Sequence, residues 1–328
     1  MFGNTGLGTF PFTSAFSKVE KDKAIEILDA YFGSGGRYLD VAPTYAFGET
    51  ERLIGEYLAN KPRESFIIST SCGYVRDGDG FRISGKREDI FLDLEESLDR
   101  LGLDYFDIYI SHIPDLNTPF EETSRALQEI LESSVAKQIG VSNVDEEQLL
   151  EYSKSANITI VQNRLSYVNR TVSSSMQDLL AKIGAKIVAY QVIERGLLSA
   201  RGPSITAESD LRRRKPEFEQ GRIDWLRNFV ESSLMQIANR AGMEVEELVI
   251  RWVVSQPYVG LAQIGATNPI EASKIPTYNE PLQPFILNEL EQSYTELIDE
   301  LRIMGFDSPR KYLGLESYDV RSGSASGN

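Results

Sequence analysis

One histidine, His112, and one cysteine, Cys72, set narrow limits on the chemistry open to this 328-residue chain. Serine-histidine hydrolysis must be built around His112 or not at all, and a two-histidine zinc site is excluded. A single cysteine allows no internal disulfide and no cysteine-rich metal centre, so no metal site is expected. What remains is a series of polar residues, each just beyond a short apolar run. Asp40-Val-Ala-Pro-Thr-Tyr45 offers a carboxylate and a phenol on neighbouring turns, and Ser111-His112-Ile-Pro-Asp115 offers the imidazole. Gly140-Val-Ser142-Asn143, Gln162-Asn163 and Tyr190-Gln191 offer hydroxyl and amide groups. A carboxylate ending a strand and a tyrosine on the next turn could converge, and together with the other strand-end polar groups they would ring a single mouth. Singly, each has an ordinary reading: Asp40 as a turn cap, Tyr45 as a packed aromatic, His112 as a satisfied strand end.

The elements that must gather these residues can be counted. Apolar, β-rich runs occur at Gly6–Phe10, Tyr38–Val41, Phe66–Thr70, Phe106–Ser111, Gln138–Val141, Thr159–Gln162, Ile187–Tyr190 and Leu261–Ile264. Between them lie helix-length segments with apolar residues three and four apart, as in Ile90, Leu94, Leu98 and Leu101, so the pattern is alternating β and α. Eight such runs favour a closed (β/α)8 TIM barrel over an open doubly wound sheet. In such a barrel the site lies at the carboxyl ends of the strands, where the polar residues above fall. Ser199 to Gly221 reads as a long functional loop and Leu282 to Ile303 as a C-terminal helical extension. The expected organisation is one barrel domain over residues 1–316, followed by a flexible polar tail over 317–328.

Composition narrows the partners. Hydrophobic residues make up 41% of the chain, enough for one large core. Against 34 lysines and arginines stand 49 aspartates and glutamates, a formal charge of −15 that repels phosphate backbones and anionic lipid surfaces. Nucleic acid and membranes are therefore not expected partners, and a small-molecule substrate is. No apolar run approaches the ~18 to 20 residues that cross a bilayer, and the first residues lack the layout of an export signal, which points to the cytoplasm.

Six segments, in order, resemble the aldo-keto reductase superfamily: Gly6-Leu-Gly-Thr-Phe10, Asp40-Val-Ala-Pro-Thr-Tyr45, Ser97 to Asp107, His112-Ile-Pro-Asp115, Gly140-Val-Ser-Asn143 and Arg251-Trp-Val-Val-Ser-Gln-Pro257. The resemblance runs from about residue 6 to residue 303. It implies hydride transfer from NADPH or NADH to an aldehyde or ketone, with Tyr45 as proton donor, Asp40 as the aspartate of the catalytic set and His112 orienting the substrate oxygen. It also implies a lysine where this chain has Ser71, in Phe66-Ile-Ile-Ser-Thr-Ser71-Cys72-Gly73. Serine can hydrogen-bond Asp40 but carries no charge. The vacancy would suit a substrate that brings its own cation, an iminium, ammonium or guanidinium, and a protonated imine also needs less help from a proton donor.

By the same resemblance Ser142, Asn143 and Gln162 hold the nicotinamide amide and Tyr190 stacks on the ring. Thr9, Gln191, Arg195, Gly196 and Leu198 then line the cofactor, with Gly265, Ala266, Thr267 and Glu271 beside the adenosine end. Glu271 stands where relatives that prefer NADPH carry a neutral or basic residue, so its carboxylate would repel a 2′-phosphate. Lys274 and Ile275 replace the pair that many relatives use on the adenine. Three readings follow: an NAD(P)H-dependent oxidoreductase acting on C=O or C=N of a small polar molecule, cationic or neutral; a catalytically silent barrel that binds a protein partner; or, less favoured, a lyase or epimerase that uses Tyr45 and His112 without net redox.

Overall fold

A computed structural model of the chain describes residues 4–12, 19–203, 205 and 210–315. The predicted tail from Ser317 lies outside the described residues. In chain order the strands are β1 (Thr5–Gly8), β2 (Tyr38–Asp40), β3 (Ile67–Cys72), β4 (Tyr74–Asp77), β5 (Gly80–Ile83), β6 (Phe106–Ser111), β7 (Ala136–Ser142), β8 (Ile160–Arg164), β9 (Lys186–Tyr190) and β10 (Val259–Gly265). Eight of them close a barrel in the order β1-β10-β9-β8-β7-β6-β3-β2, and every pairing in it is parallel. All eight predicted runs fall on barrel strands, with boundaries displaced by a few residues. The remaining pair, β4 and β5, is an antiparallel hairpin inserted after β3. The sequence reading missed it, although Asp77-Gly78 between Tyr74-Val75 and Phe81-Ile83 is a hairpin signature and Gly78 takes φ +58° at the turn.

The helices are α1 (Lys21–Gly33), α2 (Glu49–Leu58), α3 (Arg87–Leu101), α4 (Phe120–Glu132), α5 (Glu146–Ser153), α6 (Ser174–Ile183), α7 (Gln220–Phe229), α8 (Met235–Ala241), α9 (Val245–Val254), α10 (Pro269–Lys274), α11 (Pro284–Ile303) and α12 (Pro309–Tyr312). Each longer helix buries one apolar stripe on the barrel; α4, for example, buries Ala126, Leu127 and Ile130. The start of α5 is fixed by a capping box in which the Asp145 side chain accepts from Gln148 N and the Gln148 side chain accepts from Asp145 N. Such a box stabilises a helix start by roughly 1 kcal/mol, and here it anchors the corner that carries Asn143. The expected long loop after Ser199 instead contains short 3-10 turns at Leu211–Arg214 and Pro216–Phe218 before α7 begins. The C-terminal extension is α11, whose Leu290 carbonyl accepts from the buried Tyr167 hydroxyl. No helix among the described residues is long and apolar enough to cross a membrane.

Alternation along the strands separates two interiors. Side chains pointing outward form the large core beneath the helices. Tyr38, Ile67, Ile108, Ile110, Ile160, Val188 and Leu261 point inward and fill the lumen as a separate apolar layer. Two residues further along the strands the inward positions turn polar: Asp40, Ser69, Ser142, Gln162 and Gln263 are all buried. The lumen is tight enough that a Cβ on Gly140 would lie 2.7 Å from the Ile160 carbonyl oxygen.

Candidate active site

Asp40 sits at the floor of the mouth, where β2 ends. Gln162 Nε2 donates to its Oδ1 at 2.8 Å and Gln263 Nε2 donates to its Oδ2 at 2.7 Å. Gln162 Nε2 also donates to Gln263 Oε1 at 2.9 Å, so both of its hydrogens are committed. Burial pushes the Asp40 carboxyl up to about 7, against the opposing pull of hydrogen bonds from its amide and hydroxyl neighbours. No lysine or arginine of the described residues pairs with it. Lys61 lies in the helical layer, over the Tyr57 ring at 4.4 Å.

Tyr45 follows on the next turn, where Ala46 and Phe47 both take left-handed backbone conformations at φ 48° and 55°. Non-glycine residues in this region cost about 1 kcal/mol or more each, and such strain clusters at functional sites. Burial, and then the charge of Asp40, hold the Tyr45 hydroxyl well above the ordinary tyrosine range. The His112 ring meets Tyr45 edge-on at 6.5 Å and Tyr74 at 5.3 Å between centroids. Burial lowers His112 to about 4, so the imidazole is neutral near pH 7.

Ser71 corrects an expectation. Its hydroxyl does not engage Asp40; it lies 2.8 Å from His112 Nδ1. Barrel stagger explains this, because Asp40 registers with Ser69, whereas Ser71 registers with Ile110, two residues before His112. Ser69 is the β3 hydroxyl at the height of Asp40.

The amide residues converge on the same mouth. Asn143 Nδ2 donates to the His112 carbonyl at 2.8 Å and to Ser142 Oγ at 3.1 Å, and Ser142 Oγ donates to the Gln162 carbonyl at 2.7 Å. The Tyr190 hydroxyl donates to Asn143 Oδ1, and burial raises this phenol to about 12. Asn143 and Gln191 both sit at positive φ, 58° and 55°. The group expected here is a nicotinamide, and the residues fit it. Gln162 Oε1 receives no hydrogen bond from a described residue, and Gln191 Oε1 is buried without a partner among them. Both are acceptors matched to an amide NH2 or a ribose hydroxyl.

The remaining predicted cofactor residues divide. Thr9 is buried just past the end of β1, its Oγ1 donating to the Asp40 carbonyl at 2.7 Å. Gly196 N and Leu198 N both donate to the Ile193 carbonyl, so these amides close a turn and do not point into the mouth. Arg195 pairs with buried Glu217 at 3.2 Å, within a network in which Arg164 bonds Glu194 and lies 3.7 Å from Glu217. Arg212 pairs with Asp210, so the charged loop forms a salt-bridged rim. At the far end Gly265, Ala266 and Thr267 lead into α10, and the Glu271 carboxylate folds back to accept from Thr267 N at 2.8 Å and Thr267 Oγ1 at 3.0 Å. Lys274 is held by Glu244 of the α9 N-cap.

The sequence reading did not single out Gln263 as a partner of Asp40, although the inward alternation Leu261, Gln263 on β10 was a usable signal. It also missed the aromatic wall made by the hairpin: Phe47 stacks on Phe81 at 5.1 Å and Tyr74 meets Phe81 edge-on at 6.4 Å.

A closed parallel barrel with a buried carboxylate, a phenol, a neutral imidazole and free amide acceptors at one mouth has the makings of a nicotinamide-dependent oxidoreductase. The sequence signature of the aldo/keto reductase family matches residues 4–292. The chain therefore belongs to that family and is an NAD(P)H-dependent reductase. It is 29% identical over 256 residues to the NADH-specific methylglyoxal reductase of Escherichia coli, covering 74% of this chain and 78% of that protein. It is 28% identical over 268 residues to the aldo-keto reductase YhdN of Bacillus subtilis, covering 80% and 81%. Among solved structures, the glycerol dehydrogenase AKR11B4 of Gluconobacter oxydans superposes with a TM-score of 0.80 at 24% identity, covering 89% of this chain and 91% of that one.

Proposed function

We propose that this reductase takes NADH and acts on a small, positively charged substrate whose C=O or C=N group accepts hydride while its cation sits beside Asp40. The observation that carries the reading is Asp40 itself: buried, bonded only to neutral donors, and below a serine where the family resemblance expects a lysine. Forming a phenolate at Tyr45 beside that carboxylate places two negative charges together, and a substrate cation offsets both. For unit charges 4 Å apart at an effective dielectric of about 20 the attraction is ~4 kcal/mol before desolvation, enough for a tenfold or larger preference.

The nicotinamide, when bound by Ser142, Asn143, Gln162 and Tyr190, supplies the hydride. The chain's own residues do the rest. Tyr45 gives its proton to the oxygen or nitrogen that gains the electron pair, yielding an alcohol or amine, and is reprotonated from solvent; an iminium already carries that proton. His112 orients the acceptor atom. Asp40 holds the cation and is itself held by Gln162 and Gln263. Glu271 supports NADH: its carboxylate already occupies the Thr267 donors, so a 2′-phosphate would meet a negative charge there.

The test compares kcat/KM for pairs of matched aldehydes with and without an amino group, together with cyclic iminium ions, using each cofactor. The cationic member is expected to lead by tenfold or more in the wild type, and Asp40→Asn is expected to abolish the lead. Ser71→Lys is expected to raise activity on neutral aldehydes and lower it on cationic ones. Equal activity on each pair overturns the substrate reading, and a fluorescence titration showing no binding of NADH or NADPH overturns the enzyme as drawn.

A further inference from the structure

We infer that Ser71 is a positioning residue whose hydroxyl donates to His112 Nδ1, fixing the Nε2–H tautomer and selecting a reducible group that presents an acceptor atom. This rests on the proposed reading of His112 as the residue facing the substrate. It narrows that reading to a carbonyl oxygen or a neutral imine nitrogen, with the substrate's cation carried on a separate amine or guanidine.

The direction of the bond follows from counting partners. Ser71 is buried, and among the described residues its hydroxyl has one partner, His112 Nδ1 at 2.8 Å. Were Nδ1–H to donate instead, the serine hydrogen would be left buried with no acceptor, which costs a full desolvation penalty. With the serine as donor, its hydrogen and the Nδ1 lone pair satisfy one another. Neutral His112 then carries its one hydrogen on Nε2, which has no partner among the described residues. Asn143 fixes the other side of the residue by donating to its carbonyl, and the Tyr45 and Tyr74 rings meet the imidazole edge-on, so the ring plane is set as well as the tautomer.

The consequence is selective. An Nε2–H donor supports a carbonyl oxygen as negative charge develops on it. Facing a protonated iminium it would oppose N–H to N–H, and like donors repel. A single buried hydrogen bond favours one tautomer by on the order of tenfold.

Because His112 is the only histidine, tag-free protein labelled with 15N-histidine reports this one ring directly. The wild type is expected to show a bare Nδ1 and a protonated Nε2. Ser71→Ala is expected to move both nitrogens toward an averaged pair, and Ser71→Thr to restore the wild-type pattern. In kinetics, Ser71→Ala is expected to lower the ratio of kcat/KM for an amino-aldehyde over a cyclic iminium by about tenfold, chiefly through kcat, with Ser71→Thr keeping the ratio. A protonated Nδ1 in the wild type overturns the inference, and so does a ratio unchanged by removal of the hydroxyl. The wild-type spectrum decides the tautomer even if the alanine variant fails to fold. It is also independent of substrate charge, so loss of the cation preference and loss of this tautomer are separate results.

Discussion

Asp40→Asn should change the pH dependence of stability more than stability itself. Asp40 has a native pKa of about 7 and an unperturbed value of 3.8, a gap of about three units. A carboxyl whose native pKa is raised holds its proton more tightly when folded, so between pH 4 and 7 the native state binds more protons than the unfolded chain. Its contribution is therefore fully present below pH 4 and is lost as pH rises through 7, a change of about 4 kcal/mol. At 4% exposure little of this is screened. Asparagine removes the slope but introduces a constant cost. Both carboxylate oxygens accept from glutamine amides, so the new NH2 group faces a donor, at about 1–3 kcal/mol at every pH. The variant should melt below the wild type at pH 4 and above it at pH 8. For 328 residues the entropy of unfolding is about 0.7 kcal/mol per degree, so the two Tm curves should converge and cross with a relative displacement of about 6 °C. Asp93, also raised to about 7 by burial, titrates in the same window but is present in both proteins and cancels. Melting curves for the ligand-free proteins at half-unit pH intervals are the assay. Parallel curves would refute the account of Asp40 as a buried, unneutralised carboxylate. Adding an alkylammonium or guanidinium ion at pH 8 should then stabilise the wild type and leave the variant unmoved.

Tyr45→Phe should lower kcat on carbonyl substrates by about 10²- to 10⁴-fold with little change in NADH affinity, and retained turnover would remove it as proton donor. Glu271→Arg should raise the preference for NADPH over NADH by about tenfold in kcat/KM, since it replaces the repelling carboxylate near the α10 N-terminus with a cation; an unchanged ratio would place the 2′-phosphate elsewhere. Arg164→Ala leaves the buried Glu194 carboxylate without its ion-pair partner, while Glu217 keeps Arg195, and should cost about 3–5 kcal/mol in urea unfolding, whereas a loss under 1 kcal/mol would show that the rim network is solvated. Gly140→Ala should destabilise the barrel by about 1–3 kcal/mol, because its Cβ would press on the Ile160 backbone; an unchanged melting temperature would mean that β7 and β8 can separate without penalty.

Much of this arrangement is visible in one dimension. The two-residue alternation of strands and the three- to four-residue spacing of helices are local properties, so the eight runs could be read directly, and their number pointed to closure. Position relative to a strand end is local too, which is why Asp40, Tyr45, His112, Ser142, Asn143 and Gln162 could be placed at one mouth. The β4–β5 hairpin carried its own turn signal at Asp77-Gly78 and was overlooked, not hidden. The 3-10 turns after Ser199 were harder to see, since Glu217 of the second turn is held by Arg164 of β8 and by Arg195, both distant in sequence.

The sequence by itself determined the barrel, the ring of polar strand ends and the limit to a chemistry with one imidazole and no cysteine metal site. Which of these residues touch was decided only by the tertiary structure. Gln162 and Gln263 reach Asp40 across 122 and 223 residues of chain, and Ser71 bonds His112 instead of the nearer-seeming Asp40. The reason is the stagger of a closed barrel: hydrogen-bond register sets the height at which each inward side chain meets the others, and register is a property of the closed sheet that no single strand contains.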